Sequence, residues 1–535
     1  MKKYLVAFFA IFSLITTQSC KEGDEKKSNN QVASSEIQED EDFRPNFHFS
    51  PKENWMNDPN GMFYKDGTYH LYFQHYPDDN VWGPMHWGHA TSKDMVKWEE
   101  QPIAIYPDSL GYIFSGSAVV DKNNTSGFAK DGKVPVVAIY TYHDMDGEKD
   151  GRLDYQYQAI AYSLDDGKTF TKYEGNPVIP STGIKDFRDP KVSWDAEHKQ
   201  WLMSLAAGQE IIFYSSKNLK DWKELSRFGE GIGNHNGVWE CPDLFPLKVD
   251  GSGEEKWVLL VSINPGGPNE GSATQYFIGD FDGKTFKVDD DFKQNIEEEH
   301  DYWVDFGKDN YAGVTWSNIP DEDGRKLFLG WMSNWLYGQE VPTETWRSAM
   351  TIAREIKLID YNGELRLISS PVRELNTYED KGIAKSDLEV SGKILFADSS
   401  SVDLSSVIVR YSIDSLNDGY QIILENGSGD ELVIGYEKDN NEFYVDRSNS
   451  GRTDFSEKFT NKISTAPRID SSAIHNATLI LDAASMEIFF DDGKNVMTEI
   501  FFPKQPYTQL SIKAEDGSLK LNTFSAKNIH LQTDK

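Results

Sequence analysis

The sequence predicts an all-β chain, a five-bladed β-propeller followed by a C-terminal β-sandwich, and three observations lead there. One pattern recurs along the chain: an acid at or just before a proline, a strand rich in aromatic and aliphatic residues, then a polar turn closing on an aromatic residue. No long helical period interrupts these repeats. From about Asp387 the texture changes to alternating strands separated by turns such as Asn426-Gly427 and Asp516-Gly517, the pattern of a sandwich.

Taken in order, Met1-Lys2-Lys3 and the apolar run from Tyr4 to about Thr16 read as a signal peptide, too short to span a bilayer. The run ends at Thr17-Gln18-Ser19-Cys20. A small residue before a single cysteine, with Lys21-Glu22-Gly23-Asp24 after it, resembles a bacterial lipoprotein processing site, so residues 1–20 would be the leader and Cys20 the lipid-bearing N-terminus. The alternative is an ordinary signal peptide with an incidental Cys. Residues 21–42 are rich in Lys, Glu, Ser, Asn and Gln with few apolar side chains, the composition of a disordered tether. The chain would be exported and lipid-anchored at the cell surface or the periplasmic face of a bacterial membrane. Cys241 is the only other cysteine, so with Cys20 acylated or removed no intrachain disulfide can form.

Residues 43–370 hold the five repeats. Asp58 opens one, followed by Tyr69-His70-Leu71-Tyr72-Phe73 and Ser92-Lys93-Asp94-Met95-Val96-Lys97-Trp98. Asp189 opens another, followed by Trp201-Leu202-Met203-Ser204-Leu205 and Ser216-Lys217-Asn218-Leu219-Lys220-Asp221-Trp222. Glu240 opens a third, ending on Phe286. Two further units begin at Phe114-Ser115-Gly116-Ser117 and at Tyr302-Trp303-Val304-Asp305-Phe306. Trp98, Trp222 and Phe286 read as packing residues. If the acids occupy equivalent inner strands, blade geometry brings all three to one end of the central channel. Asp58 precedes Pro59, which biases its backbone to an extended conformation, and is expected at a strand end. In residues 387–535 no catalytic constellation is apparent, and that domain reads as a brace for the propeller.

A formal net charge of −33 argues against docking on nucleic acid or an anionic membrane, leaving a lipid anchor as the one membrane contact, and does not disfavour a neutral polysaccharide. His86 and His89 are not part of a set with zinc or calcium spacing, so no metal and no cofactor are expected. Nothing in the sequence specifies an oligomeric state.

The motifs at Asp58, Asp189 and Glu240, with Phe114-Ser115-Gly116-Ser117 and Trp331-Met332-Ser333-Asn334-Trp335, resemble those of glycoside hydrolase family 32, which holds invertases, inulinases and levanases. The resemblance covers nearly the whole chain after the leader. Over Trp82-Gly83-Pro84-Met85-His86-Trp87-Gly88-His89-Ala90 it is closest to bacterial levanases and fructan β-fructosidases. It implies a retaining hydrolase of β-fructofuranosidic linkages in levan, inulin or fructooligosaccharides, and of sucrose, that releases fructose from chain ends. An endo-levanase and a fructosyltransferase are alternatives on the same acids. A non-catalytic fructan-binding lipoprotein is a third, disfavoured because all three acids are present.

The resemblance implies Asp58 as nucleophile, Glu240 as general acid and base, and Asp189 as transition-state stabiliser. Asn57 and Asn60 would keep Asp58 ionised, Trp239 beside an anionic neighbour would raise the pKa of Glu240, and Arg188 would keep Asp189 charged. Trp55, Asn57, Gln74, Trp82, Phe114, Ser115, Arg188 and Trp331 match positions that line the fructosyl subsite in the family.

Overall fold

The computed structural model describes residues 41–531 apart from 299 and 417. The leader, Cys20 and nearly all of the 21–42 tether lie outside the described residues. The body from Asp42 onward is one compact unit.

Five antiparallel sheets stand around a central channel as a propeller. The first blade is built from Asn54–Lys65, Thr68–Tyr76, His86–Ser92 and Trp98–Ile105. The inner strands of the other blades are Tyr112–Val120, Phe187–Asp195, Val238–Lys248 and Tyr311–Thr315. Second strands such as Val136–His143 and Gln200–Ala207 are buried at every position, because neighbouring blades cover both faces of the sheet. Their near-continuous apolar sequence follows from that.

The polar turns of blades one and three have one geometry. In blade one Ser92 Oγ accepts the Met95 N–H at 2.8 Å and Trp98 Nε1 donates to Met95 O at 3.1 Å; in blade three Ser216, Leu219 and Trp222 do the same at 2.9 and 3.1 Å. Met95 and Leu219 both take a left-handed φ, 65° and 64°. The serine and the tryptophan together hold a side chain that would otherwise avoid that conformation.

The fifth blade differs from expectation. Tyr302-Trp303-Val304-Asp305-Phe306 does not open it; Tyr311–Thr315 does. The earlier segment lies against blade four, where Tyr276 N donates to Tyr302 O at 3.0 Å and Val304 N to Thr274 O at 2.9 Å, and then reaches the sandwich through Phe306 N and Val496 O at 2.8 Å. Its alternating aromatic residues serve that double contact. The ring is closed by Trp346–Arg347, which pairs in parallel with Asn54 and Trp55 at the start of the first blade.

In the sandwich, Glu379–Asp398 and Gln509–Ile529 pair along almost their whole length, beginning ahead of the change of texture at Asp387. Tyr420–Glu425 joins the first half of Gln509–Ile529, and Val407–Ile413 joins the second half. The sheet therefore bends into two layers, and Phe443 of one stacks on Phe490 of the other with centroids 3.9 Å apart.

Charged groups are buried where sandwich and propeller meet. Arg354 donates to Asp305 at 2.8 Å, to Thr498 Oγ1 at 2.7 Å and to Glu487; Arg447 meets Asp309 at 2.6 Å and Glu499 at 2.8 Å. His48 lies between Asp482, 2.8 Å away, and Glu487, 3.0 Å away. Such charges are tolerated out of water only because each is paired. Gly307 is required here, since a Cβ would stand 2.1 Å from Thr498 O and 2.2 Å from Thr498 N.

Candidate active site

Each of the five inner strands carries a bulge near its start, where two residues oppose one on the neighbouring strand. The pairs are Asn57 and Asp58 against Gln74, Phe114 and Ser115 against Thr141, and Asp189 and Pro190 against Leu205. Cys241 and Pro242 oppose Val261, and Ala312 and Gly313 oppose Gly330. A bulge adds twist and turns side chains out of the pleat, here toward the channel. Asp58 therefore sits within the strand Asn54–Lys65 and not at a strand end as the proline suggested. Asp189 and Cys241 reach their bulges through left-handed φ values of 66° and 46°.

Asp58, Asp189 and Glu240 all line one cavity of about 250 Å³. Asp58 Oδ2 accepts from Ser115 Oγ at 2.7 Å and Oδ1 accepts from Asn57 Nδ2 at 2.9 Å. The Asn57 amide is fixed in turn by Trp55, whose Nε1 donates to Asn57 Oδ1 at 2.7 Å. Asn60 donates to the backbone carbonyl of Asp58 at 2.9 Å and not to its carboxylate. Burial pushes the Asp58 carboxyl above its ordinary range, the Ser115 and Asn57 hydrogen bonds pull it back, and the Glu240 charge adds to the rise.

Arg188 grips Glu240 Oε1 through Nε at 3.1 Å and Nη2 at 2.9 Å, and Tyr311 OH hydrogen-bonds Oε2. The third guanidinium nitrogen donates to Asp186 at 2.6 Å. The hydrogen bonds of Arg188 thus go to Glu240 and Asp186 and not to its neighbour Asp189. Asp189 accepts instead from the Cys241 N–H at 3.0 Å, and the Cys241 thiol lies 3.6 Å from Asp189 Oδ2 and 3.8 Å from Asp58 Oδ2. Burial raises the Asp189 carboxyl well above its ordinary value; Arg188 opposes this and the charges of Glu240 and Asp58 reinforce it.

Of the expected sugar-binding residues, Asn57, Gln74, Trp82, Phe114, Ser115 and Arg188 line the cavity. Trp55 and Trp331 do not. Both are fully buried and form the layer behind the wall, while Trp335, on the loop after the strand that carries Trp331, reaches the cavity. The three indoles pack together, Trp55 and Trp331 each against Trp335 with centroids 5.8 and 4.9 Å away. Gln74 Nε2 is buried with no protein partner and is free to donate to a ligand.

Sequence reasoning missed His143, Glu148, Gln156 and Asp186 on the cavity wall, and Tyr311 behind Glu240. Asp186 stands in the same motif as Arg188 and could have been found there. His143 and Gln156 are strand ends that only the blade geometry brings to the channel. Among the described residues no cluster of His, Cys, Asp or Glu is arranged to hold a metal ion.

The family model for the glycosyl hydrolases family 32 N-terminal domain matches residues 48–371, and that for the family 32 C terminal matches residues 374–528. A levanase of Bacillus subtilis is 44% identical over 530 residues, covering 98% of this chain and 75% of the relative. An extracellular exo-inulinase of Aspergillus niger is 37% identical over 526 residues, covering 92% and 95%. Among solved structures, an exo-inulinase from Aspergillus awamori superposes with a TM-score of 0.82 at 34% identity, covering 92% of this chain and 99% of the other. A β-fructofuranosidase from Schwanniomyces occidentalis complexed with fructosyl-erythritol gives 0.81 at 34%, covering 91% and 98%. With both family domains matched in order across a propeller and a sandwich, the chain belongs to glycosyl hydrolase family 32 and is a glycosidase.

Proposed function

We propose that this glycosidase hydrolyses the β-fructofuranosidic linkages of fructans with retention, releasing fructose from the chain end. The observation that carries the reading is the meeting of Asp58 and Glu240 at one cavity with separate sets of hydrogen-bond donors. Asp58 is the nucleophile: Ser115 and Asn57 favour its ionised form, and its oxygen bonds to the anomeric carbon as the glycosidic bond breaks. Glu240 gives a proton to the departing oxygen, then takes one from the water that hydrolyses the fructosyl-enzyme. Asp189 accepts hydrogen bonds from the sugar hydroxyls and stabilises the oxocarbenium-like centre. The names of the relatives, a levanase and exo-inulinases, support a fructan substrate. A cavity of about 250 Å³ is small beside the ~300–1,000 Å³ of typical ligand clefts, which favours a chain end over a polymer threaded through its middle.

Residues 43–370 act as the catalytic propeller and residues 387–535 as its brace, which the buried pairs Arg354–Glu487 and Arg447–Asp309 between them support. We further propose that Cys20 carries a lipid anchor after cleavage between Ser19 and Cys20; lipid-analogue labelling then disappears in Cys20→Ala, and labelling that persists in that variant refutes the anchor. The reaction itself is tested by chromatography of products from levan, inulin and sucrose. Fructose alone from the first minutes supports the reading, a ladder of oligosaccharides makes the enzyme endo-acting, and no product on any of the three overturns it.

A further inference from the structure

Every residue that lines the cavity comes from the propeller, between Asn57 and Trp335. The last of them differs from the rest in how it is held. Trp335 sits on the loop between the strands Lys326–Met332 and Trp346–Arg347, and that loop is gripped from the sandwich.

The grip is made by Arg447, on the sandwich strand Glu442–Asn449. Its Nη2 donates to Tyr337 OH at 2.7 Å, and the same hydroxyl donates to Asp309 Oδ1 at 2.7 Å, so the phenol both accepts and donates. Arg447 Nη1 meets the other Asp309 oxygen at 2.6 Å and Glu499 at 2.8 Å, which fixes the guanidinium. Phe459 of the sandwich completes the socket: its ring centroid lies 3.9 Å from the guanidinium carbon, and it meets Tyr337 edge-on with centroids 5.1 Å apart. Tyr337 is 1% exposed and cannot shift without breaking this set.

Tyr337 lies two residues past Trp335, in a closed turn. Tyr337 N and Gly338 N both donate to Asn334 O, at 3.2 and 2.7 Å, and Leu336 N donates to Asn334 Oδ1 at 3.0 Å. Asn334 Nδ2 is tied to Lys308 O at 2.7 Å, and Trp335 N donates to Ser272 Oγ at 3.2 Å. Gly271 makes room for the asparagine, because a Cβ there would stand 2.1 Å from Asn334 Oδ1. A turn bonded in this way moves as a unit, so a displacement of Tyr337 carries Trp335 with it. Misplacing a group that meets the substrate by about 1 Å is enough to cost up to about 10²-fold in activity.

We propose that Arg447 is a positioning residue: through Tyr337 the sandwich sets the place of Trp335 on the cavity wall. The proposal rests on the fructan reading above and gives the second domain a share in substrate recognition beyond bracing. The test measures kcat and KM on a β-fructofuranosyl-fructose disaccharide for Tyr337→Phe and Arg447→Lys, each alone and combined with Trp335→Ala. Tyr337→Phe removes only the hydroxyl, while Arg447→Lys keeps a charge beside Asp309 and loses the fork that also reaches Tyr337. Each raises KM about fivefold with kcat within about twofold of the wild type, and in the Trp335→Ala background neither changes KM by more than about twofold. Arg354→Lys serves as the control. Arg354 bonds across the same interface to Asp305, Glu487 and Thr498 and not to the loop, so its replacement lowers the melting temperature and leaves KM as in the wild type. No rise in KM, a rise of the same factor with and without the Trp335 indole, or an equal rise in Arg354→Lys overturns the coupling and leaves the fructan reading intact. A wild-type enzyme that does not cleave the disaccharide overturns the fructan reading and the coupling with it. Tyr337→Phe loses one oxygen atom and keeps the packed ring, so it folds and decides the matter even if Arg447→Lys does not.

Discussion

Ser115 Oγ donates to Asp58 Oδ2 at 2.7 Å, so the bulge of the second blade holds the acid presented by the bulge of the first. That hydrogen bond lowers the Asp58 pKa against burial and against the repulsion of Glu240. In Ser115→Ala the carboxyl is left with less opposition to protonation, and the acid limb of the kcat/KM profile moves to higher pH. A charge-assisted hydrogen bond is worth about 1.5–3 kcal/mol, which corresponds to a shift of about one pH unit or more. An acid limb in the same place as that of the wild type excludes Asp58 as the group that must be ionised.

Glu240→Gln keeps the shape of the side chain and still accepts from Arg188 at one oxygen, but it has no proton to give. The rate on fructans falls by roughly 10²–10⁴, with fructose affinity measured by calorimetry little changed. A rate near that of the wild type would falsify the acid and base role.

His48 predicts an alkaline loss of stability. Burial alone would lower its pKa, but hydrogen bonds and charge from Asp482 and Glu487 outweigh it and raise the value from 6.5 to about 9. A pKa raised on folding means a contribution fully present below about pH 6.5 and lost as pH rises through about 9, on the order of 3 kcal/mol. Melting temperatures of the wild type and His48→Gln, compared at pH 6 and pH 10, should be far apart at the first and close at the second. A constant gap counts against the ion pairs as its source.

Gly307→Ala tests the docking of the sandwich. The added methyl must displace the Thr498 backbone, because its nearest neighbours are main-chain atoms at 2.1 and 2.2 Å. Overpacking of this kind costs about 1–3 kcal/mol or more. The expected result is a lower melting temperature and faster proteolysis between residues 371 and 379, with KM for fructans retained in the surviving fraction. A melting curve identical to that of the wild type means that the two domains are not pressed together at this point.

The sequence made the five-fold repeat and the three acids legible because the acids stand in distinctive motifs ahead of the strands that repeat. It could not show the bulges. A bulge is a relation between two strands, and Gln74 or Val261 carries no mark of standing opposite two residues. The sequence does not say which of two nearby indoles a loop carries outward, so its motif points to Trp331 where Trp335 lines the cavity. Tyr302-Trp303-Val304-Asp305-Phe306 has the alternation of a strand, but its partners in blade four and the sandwich were invisible locally. The buried set of Arg354, Glu487 and His48 joins residues hundreds of positions apart, and each of them alone looks like an ordinary surface charge.

The parallel pairing of Asn54 and Trp55 with Trp346 and Arg347 gives the chain a late keystone. The blade that leaves the ribosome first lacks its parallel edge strand until Trp346–Arg347 emerges, and only the later strands of the fifth blade follow before the sandwich. A nascent polypeptide stalled before Trp346 therefore carries Asp58, Asp189 and Glu240 on an unclosed ring, and closure comes while the sandwich is still to be made.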